Sequence, residues 1–168
     1  VSHDHHPRDQ EVSASFALLV TSDSRTPETD ETGKLAKKVL SEAGHSVSEY
    51  GIVPNDASKI KDWLMDVIEN SETQIIITSG GTGIGSVDKT VDTARSLFEK
   101  ELPGFGEHFR RLSYDEVGTA GLMSRSTAGV VNKKIIFCLP GSRGAMRTAL
   151  NEIILPGVGH MLWELNRR

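Results

Sequence analysis

Three consecutive isoleucines, Ile75, Ile76 and Ile77, run straight into the glycine- and hydroxyl-rich string Thr78-Ser79-Gly80-Gly81-Thr82-Gly83. A strand whose successive side chains are all apolar has no solvent face, so it belongs in a sheet covered on both sides. Residues 16–20 and 134–139 carry the same signature, and a further strand is expected over residues 46–53. Between these runs the spacing turns helical. Leu35, Ala36, Val39, Leu40 and Ala43 share one helix face, and Gly44 ends it. Asp56 is expected to cap a helix carrying Ile60, Trp63, Leu64, Val67 and Ile68, and Thr90 to begin another that reaches Leu97. Pro140-Gly141-Ser142 leads into a helix over residues 143–154, with a last helix over 157–165. Strands alternating with helices predict an α/β fold, a three-layer αβα sandwich with a mostly parallel sheet. Residues 113–132 lack clear periodicity and are expected to form a loop with a short hairpin. Residues 1–15 are polar and patternless, and are expected to be a flexible arm ahead of one domain over residues 16–168.

Charge and composition narrow the function. Nineteen basic and twenty-three acidic side chains leave a net charge of −4. That balance argues against non-specific nucleic-acid binding as the main function, which needs a basic excess to neutralise phosphates, while a local patch around Arg143 and Arg147 would suit a small polyanion. No apolar run is long enough to span a membrane, and the first fifteen residues carry no hydrophobic stretch of signal-peptide type, so the cytoplasm is the expected compartment. The single cysteine, Cys138, sits within an apolar strand and is expected to act as a small hydrophobe. His3-Asp4-His5-His6 has no second cluster to complete a coordination sphere, and His45, His108 and His160 are scattered. These histidines are expected to be solvated or structural.

In an open parallel sheet, ligands bind beyond the carboxyl ends of the strands. Three segments fall there: residues 21–25, 78–88 and 140–143. Gly80, Gly81, Gly83 and Gly85 free the backbone for positive φ and close ligand approach, and successive N–H groups of such a loop can form an anion nest. Thr78, Ser79 and Thr82 add hydroxyls. No lysine follows as in a Walker A loop, so this is not a P-loop NTPase pattern. The alternative is a glycine-rich turn with no ligand. Asp88 likewise has two readings, a cap for the helix beginning at Thr90 or a ligand for Mg²⁺. Pro140, Gly141 and Ser142 form a tight turn before a helix, Arg143 and Arg147 lie four apart on it, and Ser124-Arg125-Ser126 adds a hydroxyl–guanidinium cluster.

Taken together, Thr78-Ser79-Gly80-Gly81-Thr82-Gly83 with Asp88, Leu102-Pro103-Gly104-Phe105, Phe109-Arg110, Ser124-Arg125 and Leu139-Pro140-Gly141-Ser142 resemble the MogA/MoaB molybdenum-cofactor biosynthesis proteins. Thr21-Ser22-Asp23, Gly33 and His160 fall at matching positions, and residues 104–113 point to the MoaB branch. The resemblance implies a molybdopterin adenylyltransferase, with ATP and molybdopterin as substrates, Mg²⁺ as cofactor, and a trimer or hexamer as the assembly. It assigns Asp88 to catalysis and the metal. Ser22, Asp23, the residues of the 78–83 string, Ser124, Arg125, Pro140, Gly141 and Ser142 are assigned to substrate or nucleotide. Relatives often carry aspartate directly after the proline that follows the second strand. Here Pro54 is followed by Asn55 and then Asp56, so Asp56 is the expected second catalytic acid. Two other functions stay open beside this one: a molybdopterin-binding protein without catalysis, and a nucleotide hydrolase of the related competence-damage type.

Overall fold

A computed structural model describes residues 11–168. The chain runs β1 (Ser15–Thr21), α1 (Glu31–Glu42), β2 (Ser46–Val53), α2 (Ala57–Asn70), β3 (Ile75–Ser79), α3 (Thr90–Leu97), β4 (Lys100–Glu101) and α4 (Pro103–Val117). A 3₁₀ turn (Gly118–Met123), β5 (Thr127–Val131) and β6 (Lys134–Leu139) follow, then α5 (Arg143–Thr148), a π-helical stretch (Ala149–Ile154) and α6 (Leu155–Asn166). The six strands form one sheet in the order β2-β1-β3-β6-β5-β4. β2, β1, β3 and β6 are parallel, and β5 and β4 extend the sheet antiparallel.

The continuous apolar strands divide their side chains between two cores, one on each face of the sheet. Phe16, Leu18, Ile75, Ile77, Ile135, Phe137 and Leu139 pack under α1, α4, α5 and α6. Ala17, Leu19, Ile76, Ile136 and Cys138 pack under α2 and α3. The period-two alternation that a one-sided sheet spends on water here serves a second hydrophobic layer, which is why three isoleucines in a row are tolerated. The expected three-layer αβα sandwich is the observed architecture.

Three boundaries differ from the sequence reading. Residues 113–132 are not a loop, because they contain the end of α4, the 3₁₀ turn and β5. The hairpin lies later, with Asn132 and Lys133 at φ 48° and 57° joining β5 to β6. The two last helices are one uninterrupted helical run, with its π-helical stretch just ahead of Pro156. Ser13, Ala14 and Ser15, expected in the arm, are tied down through Ser13 Oγ to Gly44 O (2.8 Å), Ala14 N to His45 Nδ1 (3.0 Å) and Ser15 N to Gln74 Oε1 (3.0 Å). The His3-Asp4-His5-His6 cluster lies outside the described residues.

Cys138 is fully buried, and burial pushes its thiol up to about 11, against a smaller opposing effect of the adjacent Thr78 hydroxyl. The thiolate is the reactive form. Cys138 is therefore expected to resist iodoacetamide at pH 8 in the native protein and to react promptly in denaturant, as read by intact mass. Native labelling at a free-thiol rate would show that β6 is far more open than its packing implies.

Candidate functional site

Sheet order reverses between β1 and β3, because α1 carries the chain outward to β2 and α2 brings it back to β3. The carboxyl edge at such a reversal is where open α/β sheets bind ligands. Three loops meet there. After β1, Ser22 N donates to Val53 O (2.9 Å), and Ser22 Oγ accepts from Ser24 N (3.2 Å) and Arg25 N (3.0 Å). That hydroxyl folds the loop back over the sheet edge. After β6, Gly141 O accepts from Arg25 Nη1 (3.1 Å) and Thr32 Oγ1 (3.0 Å). After β3, Gly80 N donates to Leu139 O (2.9 Å) and Thr21 Oγ1 donates to Ser79 O (3.4 Å). The loops form one ledge.

Within it, Gly80 and Gly81 take φ of 107° and 70°. A Cβ at Gly80 would lie 2.6 Å from Thr21 O, and one at Gly81 would collide with Thr90 Oγ1. The backbone shape therefore requires glycine at both positions. The N–H groups of Gly80 and Gly85 are spent on Leu139 O and Asp88 Oδ2. Those of Gly81, Thr82 and Gly83 donate to no acceptor among the described residues. Three successive unpaired N–H groups on a glycine loop are the donors an anion nest would use. Thr82 Oγ1 and Ser124 Oγ lie 3.3 Å apart, and Ser124 Oγ and Ser126 Oγ 2.6 Å apart, so a chain of hydroxyls flanks the nest. Thr78 and Ser79, expected to bind substrate, are fully buried in β3, where Thr78 Oγ1 and Ser79 Oγ find no hydrogen-bond partner. They form the floor beneath the loop.

Of the two readings of Asp88, capping is excluded. Lys89 stands at the N-cap of α3, with no side-chain cap bond. Asp88 Oδ2 instead accepts from Gly85 N (2.9 Å), and Asp88 N donates to Gly85 O (3.1 Å). The carboxylate is turned into the loop, with Oδ2 2.8 Å from where a Cβ at Gly83 would sit. Oδ1 carries no hydrogen bond among the described residues. Those residues hold no group of three or more His, Cys, Asp or Glu able to cage a metal. Mg²⁺ does not ask for a cage: it is commonly held by one or two carboxylates and completed by substrate phosphates and water. Asp88 Oδ1 beside an anion nest fits that chemistry.

The expected second acid is placed differently. Asp56 Oδ1 accepts from Lys59 N (3.0 Å), so Asp56 is the N-cap of α2. Asp23 is the carboxylate on the β1 side of the ledge, and Asn55 holds both its oxygens, N to Oδ1 at 2.9 Å and Nδ2 to Oδ2 at 3.0 Å. The Asn55 side-chain and backbone donors keep the Asp23 carboxyl below the ordinary range.

Arg125, expected to contact substrate, is occupied by the protein itself. Its Nε donates to Gly83 O (3.0 Å), its Nη1 and Nη2 to the two oxygens of Asp92 (2.9 and 3.0 Å), and its N–H to Thr82 O (2.7 Å). The hydrogen-bonded Asp92 pushes the guanidinium up, helped by the charges of Asp92 and Asp88, and is itself held low in return. Arg125 therefore clamps the glycine loop. Arg110 Nη1 similarly braces the 124–126 segment, donating to Ser126 O (2.7 Å). Ser142 Oγ accepts from Ala145 N (3.1 Å) as the cap of α5, while Pro140 and Gly141 are half-buried in the ledge. Arg143 and Arg147 are exposed on α5.

A cavity of about 480 Å³ adjoins the ledge, lined by Ser22, Asp23, Arg25, Tyr50 and Val53 among others. A larger concavity of about 950 Å³ opens at the opposite, amino-terminal edge, against His45 and residues 155–161. None of the loops described above reaches it, and the ligand edge of such a sheet is the other one. His45 and His160 belong to that far side, with His160 Nε2 3.4 Å from Glu164. No helix among the described residues is long and apolar enough to cross a membrane.

Fold and ledge together define an open-sheet α/β protein whose ligand edge lies at its topological switch point. A family described as "Probable molybdopterin binding domain" matches residues 17–160. The chain is 40% identical over 152 residues to molybdenum cofactor biosynthesis protein B of Bacillus cereus, covering 90% of each chain. It is 42% identical over 151 residues to the Bacillus subtilis protein of that name, covering 89% of each. Among solved structures, a molybdenum cofactor biosynthesis protein B superposes with a TM-score of 0.90 at 39% identity, over 94% of this chain and 98% of the other. The tungsten cofactor synthesizing protein MoaB from Pyrococcus furiosus does so with a TM-score of 0.83 at 35% identity, over 94% and 100%. The chain belongs to the MogA/MoaB family of molybdenum cofactor biosynthesis proteins, in its MoaB branch.

Proposed function

We propose that this protein serves molybdenum or tungsten cofactor biosynthesis as a molybdopterin adenylyltransferase, moving AMP from ATP to the terminal phosphate of molybdopterin. The observation that carries the reading is the nest of unpaired N–H groups on Gly81, Thr82 and Gly83 with the free Asp88 Oδ1 beside it. In this reaction a phosphate oxygen of molybdopterin attacks the α-phosphorus of ATP, the bond to the bridging oxygen breaks, and pyrophosphate leaves. No covalent enzyme intermediate is needed, so catalysis rests on positioning and on neutralising charge. The nest holds a phosphate by its N–H groups, and Arg125 keeps the loop in shape by gripping Gly83 O. Ser124 and Thr82 offer hydroxyls to the same region. Asp88 would hold Mg²⁺, which when bound supplies charge neutralisation to the phosphates.

A cytoplasmic location and assembly into a trimer or hexamer go with this reading. Tyr114, Val117, Leu122 and Met123, exposed at the end of α4 and in the 3₁₀ turn, are apolar surface suited to such a contact. The test is incubation of purified protein with molybdopterin, ATP and Mg²⁺, with mass-spectrometric detection of the product. Adenylylated pterin and pyrophosphate in equal amounts are expected. Tight pterin binding with no AMP transfer at saturating ATP and Mg²⁺ would favour a non-catalytic molybdopterin-binding protein instead.

A further inference from the structure

Three arginines approach the ledge. Arg125 is ion-paired with Asp92 and also donates to Gly83 O. Arg110 turns one nitrogen to the carbonyls of the 124–126 segment, Ser126 O and, at 3.4 Å, Ser124 O. Arg25 is different. The Ser22 Oγ turn swings it across the sheet edge, where Nη1 donates to Gly141 O at 3.1 Å. That is the single hydrogen bond its side chain makes among the described residues, and no carboxylate there lies within ion-pairing distance. A guanidinium has five N–H donors, so four remain. The nearest acid along the chain, Asp23, makes no ion pair with it; the two Asp23 oxygens accept from Asn55 N and Nδ2 instead.

Position adds to this surplus. Arg25 Nη1 and Nη2 lie 3.8 and 3.9 Å from where a Cβ on Gly141 would stand, and Gly80 Cα lies 3.6 Å from the same point. Arg25, Gly141 and the root of the anion nest thus crowd one spot from three different strands. Arg25 is only half exposed, and it also lines the cavity of about 480 Å³ beside the ledge. A planar, permanently charged fork with unused donors, fixed at one end by a carbonyl and facing a cavity, matches a phosphate group.

We propose that Arg25 is a phosphate-binding residue of this site, taking a phosphate of ATP or the phosphate monoester of the pterin at the junction of the β1, β3 and β6 loops. The inference rests on the proposed function only for which phosphate is bound.

Calorimetric titration of the wild type and of Arg25→Gln and Arg25→Lys with inorganic pyrophosphate, Mg²⁺-ATP and molybdopterin tests it. Gln keeps an amide donor but no charge, so Arg25→Gln is expected to weaken at least one of the three by roughly ten- to a hundred-fold, the size of a lost charge-assisted hydrogen bond. Arg25→Lys should recover part of that loss. Weakening of pyrophosphate and ATP together assigns the nucleotide as the source of the phosphate, and weakening of molybdopterin alone assigns the pterin. Unchanged affinity for all three in Arg25→Gln overturns the proposal. A measurement on the wild type covers the case of a variant that does not fold. Phenylglyoxal modification of Arg25, followed by peptide mapping, is expected to slow markedly under saturating pyrophosphate or molybdopterin, and no protection by either overturns the proposal. Pyrophosphate binding is read without AMP transfer. A wild type that binds it through Arg25 yet makes no adenylylated pterin would sink the proposed function and spare this inference.

Discussion

Replacing Asp88 by alanine is expected to lower the rate of Mg²⁺-dependent AMP transfer by two orders of magnitude or more, roughly the size of losing one preorganised charge stabiliser. The expectation follows from what the carboxylate does and does not do. It does not cap α3, so its loss should leave that helix start intact. It does accept the Gly85 N–H, a single bond at the protein surface worth about 1 kcal/mol of stability. Its other oxygen is unused by the protein and lies beside the nest. Asp88→Asn separates charge from shape, since an amide oxygen can still accept from Gly85 N. Both variants should fold and melt close to the wild type, and both should lose rate in single-turnover assays across a range of Mg²⁺ concentrations. Normal turnover in Asp88→Ala would remove Asp88 from the mechanism.

Gly80→Ala should be strongly destabilising, because strain and a backbone clash coincide there. At φ 107° an L side chain is strained, by about 1–2 kcal/mol. The new Cβ would also stand 2.6 Å from Thr21 O and 2.7 Å from Thr21 Oγ1. The first of these is backbone at the buried end of β1 and cannot swing aside, so overpacking adds about 1–3 kcal/mol. A denaturant midpoint shifted down by the equivalent of about 2–5 kcal/mol, with unchanged slope, is the expected result, together with loss of pyrophosphate binding. Gly144→Ala is the matched control, because a Cβ there meets nothing within 4 Å and the residue lies on the exposed face of α5. Wild-type stability and binding in Gly80→Ala would mean that the loop reorganises without cost, and the nest as described would be wrong.

Much of this was legible in the chain because the physics was local. Ile75, Ile76 and Ile77 declare a two-sided strand by themselves, and Asp56 signals the cap of α2 from its place ahead of an amphipathic run. What escaped was set by distant neighbours. β5 reads poorly because Gly129 interrupts it, and the glycine is there because a side chain would collide with the Phe98 ring. The helices expected over residues 143–154 and 157–165 leave a gap that contains Pro156. Its missing N–H and its ring are accommodated by the wider π-helical stretch just ahead of it, and the helix continues. In the candidate site, the glycine loop and Asp88 were visible as a pattern. The bonds that Arg125 and Arg25 make within the protein were not, since they turn on whether Asp92, Gly83 and Gly141 come within reach, and spacing alone cannot show that.

The ledge is stitched by bonds between parts of the chain that are far apart in sequence: Arg25 to Gly141 across 116 residues, Thr32 to Gly141 across 109, and Arg125 to Gly83 across 42. Contacts of that span form only after the intervening strands have paired, because closing such long loops costs entropy before anything repays it. A partly assembled chain therefore lacks the complete ledge until β6 has docked beside β3. A ligand held there binds the assembled molecule and not the unfolded chain, so occupancy stabilises the molecule as a whole.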